Sequence, residues 1–100
     1  MNSSNPGERI GTSDTRQFQA ALTILRRRQV EAETGYSRST IYLRISQGLF
    51  PKPVHLGSRA VGWPAREVAA LNEARIAGES DAGLRALVQT LVRARREVAR

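Results

Sequence analysis

One hundred residues are enough for one domain with one modest core, and too few for two. Sixteen basic residues against nine acidic ones leave a net charge of +7, which points toward polyanionic partners. The absence of cysteine excludes a disulfide framework and any thiolate metal site.

Fifteen of the basic residues are arginine and Lys52 is the single lysine. The planar, permanently charged guanidinium suits phosphate, although a GC-rich genome produces the same bias. The charge is uneven. Residues 24–63 hold seven basic residues against two acids, residues 64–83 have a net −2, and residues 84–100 have a net +4. The N-terminus shows no apolar run of signal-peptide type, and no stretch approaches 18 consecutive apolar residues. A cytoplasmic, nucleoid-associated protein that does not enter a membrane is the expectation.

Residues 1–15, MNSSNPGERIGTSDT, are too polar to bury much surface and read as a disordered arm, taken as far as residue 20. From Arg16 to Leu25 the polarity falls, with Phe18, Leu22, Ile24 and Leu25. That stretch fits a short helix or an extended lead-in. The run RRRQVEAETG then predicts a short helix around Val30 that ends at Gly35. Ser37 is an N-cap for a second helix, with Tyr36 and Ile41 spaced as a hydrophobic staple. Gly48 stops this helix, and Pro51 and Pro53 prevent its resumption.

Two short helices about a tight turn read as a helix-turn-helix. Val54–Leu56 and Ala60–Trp63 are strand candidates joined by Gly57, Ser58 and Arg59, which makes a hairpin wing. Pro64 opens a third helix that Gly78 closes. Ser80 or Asp81 caps a fourth that runs from about Ala82 to the end. The fold class is therefore mostly α with a small β-hairpin: a winged helix-turn-helix over residues 21–78, plus a C-terminal amphipathic helix over residues 79–100.

On a helical wheel, Ile41 and Ile45 share the inner face of the second helix, toward Val30, Leu25 and Trp63. Ser39, Tyr42, Leu43 and Ser46 lie on the outer side. With Ser37, Arg38 and Thr40 at its start, the helix offers free N–H groups, a positive dipole end and a guanidinium, which is a phosphate-binding arrangement. Hydroxyls and a tyrosine can bond phosphates or base edges, and Leu43 can meet a thymine methyl. The helix alone fits a capped amphipathic surface helix equally well. Arg26, Arg27 and Arg28 would anchor the phosphate backbone, and Arg59 at the wing tip would enter or flank a minor groove. Lys52, His55 and Ser58 complete the expected backbone and wing contacts.

The stretch from Leu25 to Leu71 resembles the AlpA family of small winged-helix DNA-binding proteins, related to the MerR-like excisionases. The resemblance is carried by Gly35, Ser37 through Tyr42, Gly48, Phe50 through Val54, Leu56-Gly57, Val61 through Trp63, and Glu67-Val68, and it covers about residues 24–76. The chain departs from the family pattern in two ways. A basic residue usually stands where this chain has Leu43 and a bulkier apolar one at Arg44, so the pair is exchanged here. Leu71 replaces a common tryptophan. The resemblance implies a phage or mobile-element protein that binds double-stranded DNA. It either directs an integrase toward excision, as a recombination directionality factor, or regulates transcription at a promoter. An integrase is then a further expected partner. A reading of another class is an adaptor whose basic face binds an acidic protein.

Nothing in the chain suggests catalysis. There is no Ser/His/Asp set, phosphate loop or carboxylate pair, and His55, the only histidine, has no co-ligands. No enzyme activity, metal or cofactor is expected. The last helix places Leu84, Leu87, Val88, Leu91 and Val98 on one stripe, interrupted by Arg95. Such a stripe either folds back on its own domain or docks on another copy or on a partner protein. The small domain has little spare surface to cover it, which favours self-association into a homo-oligomer on DNA.

Overall fold

The computed structural model describes residues 22–98, with side chains to Glu97. The expected N-terminal arm and Phe18 lie outside the described residues, as does the side chain of Val98. In chain order the elements are β1 (Ile24–Leu25), α1 (Arg27–Thr34), α2 (Arg38–Ser46), β2 (Val54–His55), β3 (Val61–Pro64), α3 (Ala65–Ile76) and α4 (Asp81–Val98). They form four helices with a small three-stranded antiparallel sheet, ordered β1-β3-β2. This is a winged helix-turn-helix with an added C-terminal helix.

Local chemistry sets the boundaries. α1 stops because Gly35 adopts φ 77°, a left-handed conformation that only glycine reaches without strain. Thr34 spans the turn: its hydroxyl donates to the Val30 carbonyl at 2.7 Å and accepts from the Tyr36 N–H at 3.1 Å. Ser37 then caps α2, its Oγ accepting from the Thr40 N–H at 3.2 Å. Gly48, with φ 75°, turns the chain out of α2. Ser80 begins α4, its Oγ accepting from the Gly83 N–H at 3.1 Å.

The lead-in before α1 resolves into strand. Ile24 pairs with Pro64 and Leu25 with Trp63, while the wing strands pair Val54 with Gly62 and His55 with Val61. β3 is thus the central strand. A side chain cannot fit at Gly62: a Cβ there would stand 2.5 Å from Ile24 Cγ2 and 2.9 Å from the Leu25 carbonyl oxygen.

The core is one cluster of Val30, Ile41, Leu49, Phe50, Trp63, Val68, Leu71, Leu84 and Val88. Trp63 is fully buried and its indole N–H donates to the Pro51 carbonyl at 2.8 Å, so the ring adds apolar area without an unsatisfied donor. Leu71 is 2% exposed and fills its place in this cluster.

Leu84 and Val88 require a correction. The sequence assigned them to a stripe for self-association, but both are buried in the domain's own core, and Leu87 and Leu91 pack against it half-buried. The core does not end at residue 76, as its sequence pattern suggested. It needs the last helix.

Arg95, which interrupts the stripe, has a partner that explains it. Its guanidinium makes a two-pronged pair with Glu67, Nε to Oε2 at 2.8 Å and Nη2 to Oε1 at 2.7 Å. Glu67 is fully buried in the first turn of α3. A carboxylate removed from water in this way needs such a partner.

Candidate nucleic-acid interface

α2 presents its two faces as the wheel required. Ile41 is fully buried, whereas Tyr42 is 41% and Leu43 55% exposed. Arg44, by contrast, leans back over the Tyr36 ring, 5.7 Å from its centroid. Leu43 thus faces outward, and Arg44 lies on an aromatic face.

Three surfaces meet beside Tyr42. Arg26, Arg27 and Arg28 come from the start of α1, Arg38 from the first turn of α2, and Arg59 from the wing tip. With Tyr42 and Val61 they line a single concavity of about 400 Å³. Arg27 pairs with Glu31 one turn along its helix. Arg26, Arg28, Arg38 and Arg59 have no carboxylate partner among the described residues. Four unneutralised guanidiniums facing one hollow repel one another, and that repulsion is relieved when an anion enters. The α2 N-terminus adds its dipole, since the first N–H groups of a helix have no acceptor within it.

The other predicted residues take the following places. Ser37, Ser39 and Thr40 form a small hydroxyl cluster, with Ser37 Oγ 3.2 Å from Ser39 Oγ and 2.9 Å from Thr40 Oγ1. Ser46 is exposed, and its hydroxyl donates to the Leu43 carbonyl at 2.6 Å. His55 and Ser58 are exposed on the wing but do not line the concavity. Lys52 does not line this hollow; it stands at the edge of an apolar groove between the end of α2 and α4. The sequence reading missed Val61 as part of the hollow. Its half-buried place on the wing strand could be seen only after β3 had paired on both sides.

No described helix is long and apolar enough to cross a membrane, and no group of three or more potential metal ligands occurs among the described residues.

Comparison with known proteins gives two matches. The family model described as "Prophage CP4-57 regulatory protein (AlpA)" matches residues 23–75. The protein ORF88 of Enterobacteria phage P4, named as uncharacterized, is 52% identical over 44 residues. That match covers 44% of this chain and 50% of the phage protein, so the chain spans half the length of this curated relative. No solved structure matches significantly.

Proposed function

The chain belongs to the family of the prophage CP4-57 regulatory protein (AlpA), and from that membership we propose that it is a DNA-binding regulator of phage or prophage origin, without enzymatic activity. α2 enters the major groove of double-stranded DNA with Ser39, Tyr42 and Leu43 toward the base edges. The wing lies along the neighbouring backbone or minor groove through Arg59. Arg26, Arg28 and Arg38 hold phosphates on either side of the inserted helix. The observation that carries this reading is the arginine-lined concavity between the α1 start, the α2 start and the wing.

Within this reading the protein acts architecturally, as an excisionase-type recombination directionality factor. Copies bind repeated sites near an attachment site and bend the DNA so that an integrase assembles for excision. The bend costs a few kcal/mol, offset by added contacts. Adjacency on DNA brings the copies together, a reading that the burial of Leu84 and Val88 in the domain's own core supports. The second reading is a transcriptional regulator acting at a promoter, and the description of the family as regulatory favours it.

Selection of duplexes from a random library tests the DNA reading. One recovered motif supports it, whereas equal capture by heparin or an acidic protein with no motif recovered favours the adaptor. Gel mobility with the motif placed at different positions along one fragment then separates the two roles. Position-dependent mobility marks a bend and favours the excision role, and uniform mobility favours the promoter.

A further inference from the structure

The segment from Gln47 to Pro53 joins the helix proposed to read bases to the wing proposed to lie on the backbone. Its conformation sets the distance and angle between those two elements. Two prolines, Pro51 and Pro53, remove N–H donors from it, and no strand pairing holds it. It is nevertheless buried at its centre: Leu49 is 5% and Phe50 3% exposed.

Three of its carbonyls are taken by side chains. The Pro51 carbonyl accepts from Trp63 of the central strand. The other two accept from α4, outside the matched stretch 23–75. Arg85 Nε donates to the Gln47 carbonyl at 2.8 Å, and Arg95 Nη2 donates to the Lys52 carbonyl at 2.7 Å. Arg85 also lies across Gly48, where a Cβ would meet its Cγ at 3.7 Å. Arg95 is itself held by the buried carboxylate of Glu67. The two arginines thus grip the segment at both ends, ten residues apart on one helix.

We infer that α4 is a brace that sets the geometry between the recognition helix and the wing, and that Arg85 and Arg95 are positioning residues for DNA recognition. The DNA half of this inference rests on the function proposed above. A base-reading helix tolerates displacements of only about 0.5 Å, so a loosened segment lowers discrimination more than general attraction to DNA. Direct phosphate contact by these arginines would do the reverse, lowering affinity for all sequences together with the salt slope.

The cysteine-free chain allows a direct measurement. Spin labels at Ser46→Cys and Ser58→Cys report the distance from the end of α2 to the wing. They are compared in three backgrounds: the otherwise native chain, Arg85→Met, and Arg85→Met with Glu67→Leu and Arg95→Met. Methionine keeps the apolar stem of Arg85 and removes the donor. The leucine–methionine pair avoids stranding a buried charge, a replacement that is often neutral or stabilising. All three backgrounds should unfold cooperatively. A narrow distance distribution is expected in the native background and a broad one in the triple variant, with Arg85→Met between them. A distribution equally narrow in all three overturns the brace.

Binding is measured on the unlabelled proteins, against the library-selected duplex and a 20-bp duplex of scrambled sequence. The ratio of the two affinities should fall about tenfold in the triple variant, with the salt slope unchanged. A slope reduced along with both affinities overturns the positioning role in favour of direct charge contact. If the native chain binds neither duplex, the DNA reading fails by itself, and the distance distributions still decide the brace.

Discussion

Tyr42 sits on the boundary between the core and the arginine-lined hollow. One edge of its ring meets Trp63, with centroids 6.4 Å apart, while 41% of the residue stays exposed beside the arginines. Leu43, next to it, is freely exposed. Replacing either with alanine should change discrimination at particular base pairs by about 1–3 kcal/mol. Tyr42→Ala should also cost about 1 kcal/mol of stability, the worth of an edge-to-face pair. Competition binding on single-base variants of the selected site, with thermal melts of the same proteins, separates the two effects. An even loss across all sequences would remove Tyr42 and Leu43 from the reading surface. Arg38→Ala and Arg59→Ala should do what the tyrosine and leucine do not, weakening all duplexes alike without shifting the melting temperature. Gly62→Ala should fail differently. The added methyl would press on the Leu25 backbone, so β1 must move, and a markedly lower melting temperature follows. A melt unchanged from the native chain would mean that β1 is not packed as described.

At the scale of elements, much of this fold was legible in the chain. Gly35, Ser37, Gly48 and Gly78 mark helix ends because backbone conformation and capping are local properties, readable without knowing what packs where. The pairing of β1 was not legible. Two residues show no periodicity, and Ile24 and Leu25 become a strand only because β3 has an open edge for them. The fate of α4 was misjudged for a related reason. A stripe of Leu84, Leu87, Val88 and Leu91 says that something covers it, but not what. The decisive signal was a pair of charges placed where apolar residues belong, Arg95 within the stripe and Glu67 beside Val68, which together specify one docking of α4 on α3. It follows that truncation after Gly78 should abolish the cooperative unfolding transition. It removes Leu84 and Val88 and leaves Glu67 buried without a partner, and a broken buried pair alone costs about 3–5 kcal/mol. Urea denaturation checks this, and a truncated chain with the native midpoint would show that α4 is dispensable to the core.

The whole molecule divides its charge as the site requires. Of five arginines brought to one hollow, four lack a carboxylate partner among the described residues, while Arg95 is spent inside on Glu67. Net charge alone could not separate these uses, since the basic residues of 24–63 and of 84–100 look alike in sequence. Only the tertiary arrangement distinguishes a guanidinium that satisfies a buried carboxylate from one left without a carboxylate partner at the hollow. The measurement that bears most directly on DNA binding through the hollow is the salt dependence of duplex affinity. Four phosphate contacts predict a slope of about −4 in log K against log salt, falling to about −2 in the Arg38→Ala, Arg59→Ala double variant. A slope near zero for the native chain, or one that the double variant leaves unchanged, would contradict it.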